Sequence, residues 1–228
     1  FSATLSAGTH VVTASVTDSG GLGASDAVTV TVTAGGGQTV VTLTSIALED
    51  GWLRESNENS NVGGRATEDG TGASALRAGD QKKDRQFKAL VSFDTSSIPD
   101  GATIVSATLR LRRGTVVGTN PFTTHGTCWV DVRSGGFGGS TDLHKSDFEA
   151  AATVAKTTSL SSPAANGDWA EGDLDPSGLA AIDKTGTTQL RIYFDLDDND
   201  DGGNDYVGFY SGDNANAANH PQLVVTYQ

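Results

Sequence analysis

One loop of the sequence concentrates acidic side chains at a spacing that suits metal binding. Between Asp195 and Asp205 the chain carries six carboxylates, two asparagines and two adjacent glycines. Like charges at this spacing repel by about 1 kcal/mol per pair even in bulk water. Ca²⁺ would offset that repulsion, because it accepts roughly six to eight oxygen ligands in loose geometry. The acidic turn therefore predicts a calcium site.

The ligands can be narrowed by comparing the loop with a known calcium-binding pattern. Counted from Asp197, it matches the first half of an EF-hand loop, with Asn199 and Asp201 at the third and fifth positions. The second half does not match, because Gly208 stands where the glutamate belongs. We predict that Asp197, Asn199, Asp201 and Asp205 bind a structural Ca²⁺. The alternative is an exposed acidic turn that binds ions only diffusely.

Hydrolytic machinery is not visible in the sequence. The four histidines are scattered, and none lies in an H-E-x-x-H zinc pattern. There is no G-x-S-x-G nucleophile elbow before a helix. We expect a protein that is not an enzyme.

The elements that position these residues read as short strands. Glycine is abundant, at 29 residues, and Thr and Val alternate, which favours tight turns and pleated strands over helices. Strands are predicted at 39–48, 52–54, 87–93, 104–112, 127–132, 188–194, 207–210 and 222–227. Short helical turns are predicted at 146–149 and 176–184. We predict an all-β fold, a jelly-roll-like antiparallel β-sandwich.

The chain divides into two unequal pieces. Residues 1–33 read as an N-terminal β-hairpin, which resembles the last strands of a bacterial Ig-like or polycystic-kidney-disease-like domain. Residues 34–37 read as a glycine-rich linker and residues 38–228 as the β-sandwich. The chain has no methionine and begins at Phe1, so we expect a piece of a longer exported protein.

Charge narrows the possible partners. The formal net charge is -13, which disfavours nucleic acid and anionic membrane surfaces. No stretch approaches the roughly 20 apolar residues of a membrane span, so membrane insertion is not expected. A polyanionic glycan fits only if Lys82, Lys83, Arg85 and Lys88 gather on one face or a divalent cation bridges it to the protein. Cys128 reads as a small buried hydrophobe.

Four phrases, in order, resemble the DNRLRE-domain family: Asp50–Glu55, Val91–Pro99, Ser106–Leu111 and His220–Tyr227. The resemblance spans roughly residues 45 to 228. It implies an extracellular, non-catalytic β-sandwich of the kind classed among carbohydrate-binding modules, appended to a larger secreted or cell-surface bacterial protein.

Aromatic residues give candidates for sugar contacts, since a pyranose stacks its apolar side on aromatic faces. Trp169 lies in a polar segment that reads as a loop, and Tyr206 and Tyr210 border the acidic turn. We predict these three as ligand-binding residues. Arg54 reads as a structural guanidinium, paired with Asp94.

Two functions follow from these features. The first is a Ca²⁺-stabilised module that binds a polysaccharide or glycan for an exported enzyme or adhesin. The second is a structural subunit of a cell-surface filament, sheath or adhesive stalk, which self-associates through residues 1–33.

Overall fold

The structure is a computed structural model that describes residues 4–32, 36–68 and 70–228. It contains two compact units, Phe1–Gln38 and Thr39–Gln228. Positions 34 and 35 of the predicted linker, and positions 1–3 and 33 of the predicted hairpin segment, lie outside the described residues.

The first unit is a β-hairpin. Strands β1 (Gly8–Thr17) and β2 (Gly23–Val32) pair antiparallel over their whole length. The Asp18 side chain fixes the turn between them, because its Oδ1 accepts the backbone N–H groups of Gly20 at 2.8 Å and Leu22 at 2.9 Å. Most side chains of both strands are exposed.

The second unit is antiparallel throughout its described strand pairs. Its strands are β3 (Thr39–Thr44), β4 (Gly51–Glu55), β5 (Gly63–Thr67), β6 (Leu76–Gln81), β7 (Arg85–Asp94), β8 (Ile104–Val117), β9 (Cys128–Ser134), β10 (Val154–Ser159), β11 (Trp169–Asp173), β12 (Thr187–Phe194), β13 (Tyr206–Phe209) and β14 (Gln222–Tyr227). Two short helices, α1 (Pro121–Thr124) and α2 (Pro176–Ala180), connect them. The prediction of an all-β antiparallel sandwich is confirmed.

Strand β8 joins the two layers of the sandwich. Its first part pairs with β14 and β11, and its last part pairs with β13. The strand order is β10-β9-β12-β7-β6-β13-β8-β14-β3, with β4 hydrogen-bonded to β7 and β5 to β4. A register shift between Gly208 and Phe209 marks the place where β13 meets the bend of β8. The sheet curls over itself because one long strand belongs to both layers.

The core is apolar and lies between the layers. Phe93, Leu109, Leu190 and Phe209 are 0% exposed and belong to one continuous cluster of buried side chains. Cys128 belongs to the same cluster, and burial raises the pKa of its thiol. The prediction that this cysteine is a buried hydrophobe is confirmed.

A 3₁₀ turn at Lys145–Phe148 packs on β5 and β4. Arg191 donates to backbone carbonyls of this turn, at 3.1 Å in the case of Phe148, and pairs with the buried Asp131 carboxylate at 2.6 Å. A Cβ at Gly63 would come within 1.7 Å of the Lys145 carbonyl oxygen, so the turn requires glycine at that position.

The predicted helical turns are present in part. The prediction for 146–149 is shifted, since the 3₁₀ turn begins at Lys145 with His144 as its N-cap. The prediction for 176–184 is a helix that ends earlier, at Ala180, and Asp175 caps it as expected through Gly178. Four strands were not predicted, namely β5, β6, β10 and β11. No helix in the described parts of the chain is long and apolar enough to cross a membrane.

Candidate functional site

The acidic turn connects the end of β12 to the start of β13. Backbone hydrogen bonds hold its beginning: Asp195 N donates to Thr127 O at 2.9 Å and Leu196 N to His125 O at 3.0 Å. Its end is held by Asp205, whose backbone N–H donates to Asp80 Oδ1 at 2.8 Å. The turn is therefore anchored at both ends to neighbouring segments.

Three of the four predicted calcium ligands converge inside the turn. Asn199 Nδ2 donates to Asp201 Oδ2 at 3.2 Å and to Asp205 Oδ2 at 3.0 Å. Asp197 is not hydrogen-bonded to any of the three within the described residues. Burial raises the pKa of Asp198, and the neighbouring charge of Asp197 raises it further.

The Asn199 amide occupies a position that suits a cation. Its NH₂ group lies between two carboxylate oxygens, and a half-turn of the amide would present its oxygen there instead. In the described parts of the chain, no three His, Cys, Asp or Glu side chains are arranged to hold a metal ion as they stand. The donor set fits Ca²⁺ in chemistry, and the side chains would have to rotate to bind it.

The floor of the turn contains side chains that the sequence analysis did not select. Asp80 and His125 are both 0% exposed, and Asp205 is 2% exposed. His125 Nε2 lies 3.9 Å from Asp80 Oδ1. Asp80 follows a glycine in a strand that was not predicted, and His125 stands alone in the sequence, so neither carried a local signal.

A second feature lies beside the turn, and we call it the arginine pocket. It is a cavity of about 360 Å³. Its walls are formed by Trp52, Arg54, Arg65, Arg77, Gln81, Phe87, Val117, Asn204 and Tyr206. Asn204 belongs to the acidic turn, so the turn and the pocket share a wall.

The strand register explains how the pocket forms. Residues directly opposite one another in antiparallel strands point to the same face. Six strands lie side by side in the order β5, β4, β7, β6, β13 and β8. Their register places one residue of each strand in a single row: Arg65, Arg54, Phe87, Gly79, Tyr206 and Val117. In the middle of the row, a Cβ at Gly79 would come within 2.2 Å of the Asp205 carbonyl oxygen, so glycine lets the two strands approach closely. The cavity is built by long-range pairing.

The charge in the pocket is positive and concentrated. Arg54 lies directly opposite Arg65, and like charges at that position repel. Burial lowers the pKa of Arg54, and the charges of Arg85 and Arg65 lower it further. Nε of Arg54 is buried and has no hydrogen-bond partner within the described part of the chain. An anionic group in the pocket would relieve this repulsion.

Aromatic rings hold the guanidinium groups in place. The Arg77 guanidinium carbon lies 4.8 Å from the Trp52 ring centroid and 5.3 Å from that of Tyr206. The guanidinium carbon of Arg65 lies 5.4 Å from the centroid of the same Trp52 ring. Phe87 packs edge-on against Trp52 at 5.0 Å. The pocket therefore combines fixed cations with aromatic surface.

The cations named in the sequence analysis do not gather as a group. Lys88 Nζ donates to Phe148 O at 3.0 Å and lies 3.9 Å from the Phe148 ring centroid, away from the arginine pocket. Arg85 is hydrogen-bonded to Gln81. The pairing predicted for Arg54 is wrong, since Asp94 instead accepts hydrogen bonds from Ser96.

The three predicted ligand-binding residues lie in two places. Tyr206 lines the arginine pocket. Tyr210 donates its backbone N–H to Arg112 O at 3.2 Å, and Trp169 is paired with Arg112 across the other edge of β8. Arg112, beside Trp169 and Tyr210, and Val117, in the arginine pocket, are five residues apart on β8, which is about 16 Å along a strand.

The prediction that Trp169 lies in a loop is wrong, because Trp169 begins strand β11. It is half-buried, and the guanidinium carbons of Arg110 and Arg112 lie 4.7 Å and 5.4 Å from its ring centroid. Hydrogen bonds from Arg112 to the Gly167 carbonyl hold this arrangement. Trp169 and Tyr210 therefore form a separate surface on β8.

Comparison with known proteins gives a distant structural similarity. No protein-family model matches the sequence, and no curated protein matches it. The chain is similar to a solved structure described as "Structural basis for the promiscuous specificity of the carbohydrate-binding modules from the beta-sandwich super family". The two are 14% identical, with 97% of this chain and 74% of that chain covered and a TM-score of 0.23. A TM-score of this size does not indicate a shared fold.

Proposed function

We propose that this protein is a non-catalytic, extracellular carbohydrate-binding module of an exported bacterial protein, and that the arginine pocket receives the sugar. The observation that carries this proposal is the convergence of Arg54, Arg65 and Arg77 with three aromatic side chains in the walls of one cavity of about 360 Å³. A chain with a net charge of -13 concentrates these cations at one place, which favours a ligand with negative charge.

The chemistry of the walls favours an acidic sugar. Guanidinium groups bind carboxylates through paired, charge-assisted hydrogen bonds. Tyr206 is partly exposed and offers apolar ring surface to the pyranose, and the amides of Gln81 and Asn204 suit its hydroxyl groups. A uronate or sulfated residue within a polysaccharide would satisfy both requirements.

We propose that the acidic turn binds a structural Ca²⁺ through Asp197, Asn199, Asp201 and Asp205. This proposal is supported by the contacts of Asn199 with the two carboxylates. The ion would stiffen the turn and thereby fix Asn204 and Tyr206 in the pocket wall. Glycan binding would then depend on Ca²⁺ without direct contact between ion and sugar.

Affinity electrophoresis of the full chain on gels of neutral, uronate and sulfated polysaccharides tests both proposals, with Ca²⁺ and with EDTA. We expect retardation on an acidic glycan, weakened by EDTA. Retardation on neutral glycans alone would refute the assignment of the arginine pocket.

A second candidate function is supported by the hairpin unit. Val12, Val16 and Val28, which lie on one face of the hairpin, are 42%, 67% and 58% exposed. Exposed strands with apolar side chains favour pairing with another chain. This observation favours a structural subunit of a filament, sheath or stalk that self-associates through the hairpin.

Light scattering of the full chain tests the second candidate. Lysine at Val12 and Val28, which are paired across one face, should abolish self-association. Lysine at Thr13, on the other face, is the matched control. A monomeric wild-type protein at high concentration would refute the second candidate.

A further inference from the structure

Two buried titratable side chains lie beneath the acidic turn, each with an unsatisfied polar atom. Asp80 and His125 are both 0% exposed. Among the residues that the structure describes, Oδ2 of Asp80 and Nε2 of His125 have no hydrogen-bond partner. Buried charged groups are almost always paired or bound to an ion, because an unpaired buried charge is costly. The pair therefore indicates a shared ligand.

Each side chain is held by its other polar atom. The second ring nitrogen of His125, Nδ1, is hydrogen-bonded to Thr124 Oγ1 at 2.8 Å, and Asp80 Oδ1 accepts the Asp205 N–H at 2.8 Å. These contacts orient the imidazole and the carboxylate, as outer hydrogen bonds do for metal ligands.

The separation of the pair suits one cation. His125 Nε2 and Asp80 Oδ1 are 3.9 Å apart, which is too long for a hydrogen bond. Two ligand bonds of about 2.1 Å to a single ion span at most about 4.2 Å. One ion can therefore contact Nε2 and Oδ1, the oxygen that also accepts the Asp205 N–H, and the unsatisfied Oδ2 belongs to the same carboxylate.

Further ligands lie on the turn directly above. Asp205 is 2% exposed, and its Oδ2 accepts the Asn199 amide. The pKa of Asp201 is lowered, mainly by the Gly203 N–H and to a smaller extent by the charge of His125. The imidazole thus lies close enough to act electrostatically on the Asp201 carboxylate. Replacement of the Asn199 amide by an ion would complete the ligand set.

We propose that Asp80 and His125 anchor the cation of the acidic turn from below and select Mn²⁺ or Zn²⁺ over Ca²⁺. Ca²⁺ takes oxygen ligands, whereas an imidazole combined with carboxylates suits a borderline divalent cation. The inference rests on the proposal of a cation in the turn, replaces Ca²⁺ as the identity of that cation, and is independent of the proposal of glycan binding.

Electron paramagnetic resonance of the full chain with Mn²⁺ tests this directly, because the electron-spin-echo envelope reports nitrogen bound to the ion. We expect nitrogen modulation in the wild type and its loss in His125→Asn, with Mn²⁺ affinity at least about tenfold weaker. Asn at this position can keep the contact with Thr124. His144→Asn, an exposed N-cap substitution, is the matched control and should retain the modulation.

If His125→Asn does not fold, measurements on the wild-type protein alone decide the question. Titration of ¹⁵N-histidine-labelled protein with Zn²⁺ should then shift one imidazole Nε2 resonance at one equivalent. Bound Mn²⁺ without nitrogen modulation, together with Ca²⁺ raising the melting temperature, would overturn this inference and leave the calcium proposal standing. Binding of neither ion would overturn both cation proposals and would leave the glycan proposal unaffected.

Discussion

Asp50 gives the sharpest link between structure and pH. Its carboxylate is 1% exposed and accepts hydrogen bonds from Ser45 Oγ at 2.5 Å, Gly212 N at 2.9 Å and Ser92 N at 3.3 Å. Burial outweighs these three donors and raises the pKa of Asp50 from 3.8 to about 7. The carboxylate ties the loop before β4 to β7 and to the segment after β13.

The sign of the effect follows from the two pKa values. The unfolded chain releases this proton near pH 3.8, and the folded chain releases it near 7. Asp50 therefore contributes stability that is complete below pH 3.8 and is lost as the pH rises through about 7. The full difference corresponds to about 4 kcal/mol. Between pH 5 and 8.5, Asp50 should remove about 3 kcal/mol from the free energy of unfolding.

Asp50→Asn isolates this effect, since asparagine does not titrate. At pH 5 the substitution should destabilise the protein by about 1–3 kcal/mol, because an amide donor faces backbone N–H groups. At pH 8.5 the difference should vanish or change sign. Urea unfolding of both proteins across this pH range measures it. A difference that stays constant from pH 5 to 8.5 would refute the reasoning.

Two further predictions concern packing and buried charge. Gly63→Ala should destabilise the second unit by about 3 kcal/mol or more, because its Cβ would overlap the Lys145 carbonyl, whereas Gly72→Ala, with nothing within 4 Å, should change stability by less than about 1 kcal/mol. Asp131→Asn should cost about 3–5 kcal/mol, since it leaves the guanidinium buried beside it without a counter-ion. Asp195→Asn, which breaks an exposed pair, should leave the free energy of unfolding nearly unchanged. Thermal unfolding of the two glycine variants and of the two aspartate variants measures these differences. Equal losses of stability for the buried and the exposed position in either comparison would contradict the burial argument.

The fold was largely predictable where strands carry their own pattern. β7, β8, β12 and β14 alternate β-branched or apolar residues, and all four were predicted. The missed strand β6 reads Leu-Arg-Ala-Gly-Asp-Gln, and the missed β11 reads Trp-Ala-Glu-Gly-Asp. Such segments lack a strong strand preference of their own, and hydrogen bonds from their partner strands make them extended.

The candidate site was predictable only in part for a related reason. Asn199, Asp201 and Asp205 are close in sequence, and their convergence followed from local spacing. The arginine row depends on the register of six strands, which no local pattern encodes. Asp80 and His125 meet only because α1 and β6 come together under the turn.

Binding of an acidic polysaccharide by arginine variants tests the central proposal most directly. Calorimetry should show that Arg54→Gln weakens binding about tenfold to a hundredfold, as expected for loss of a charge-assisted hydrogen bond. Arg65→Gln should weaken it as well. Arg110→Gln makes the same change of charge beside Trp169, and it should leave binding unchanged. Loss of binding in Arg110→Gln, with Arg54→Gln unaffected, would place the sugar on the Trp169 surface and contradict the assignment of the arginine pocket.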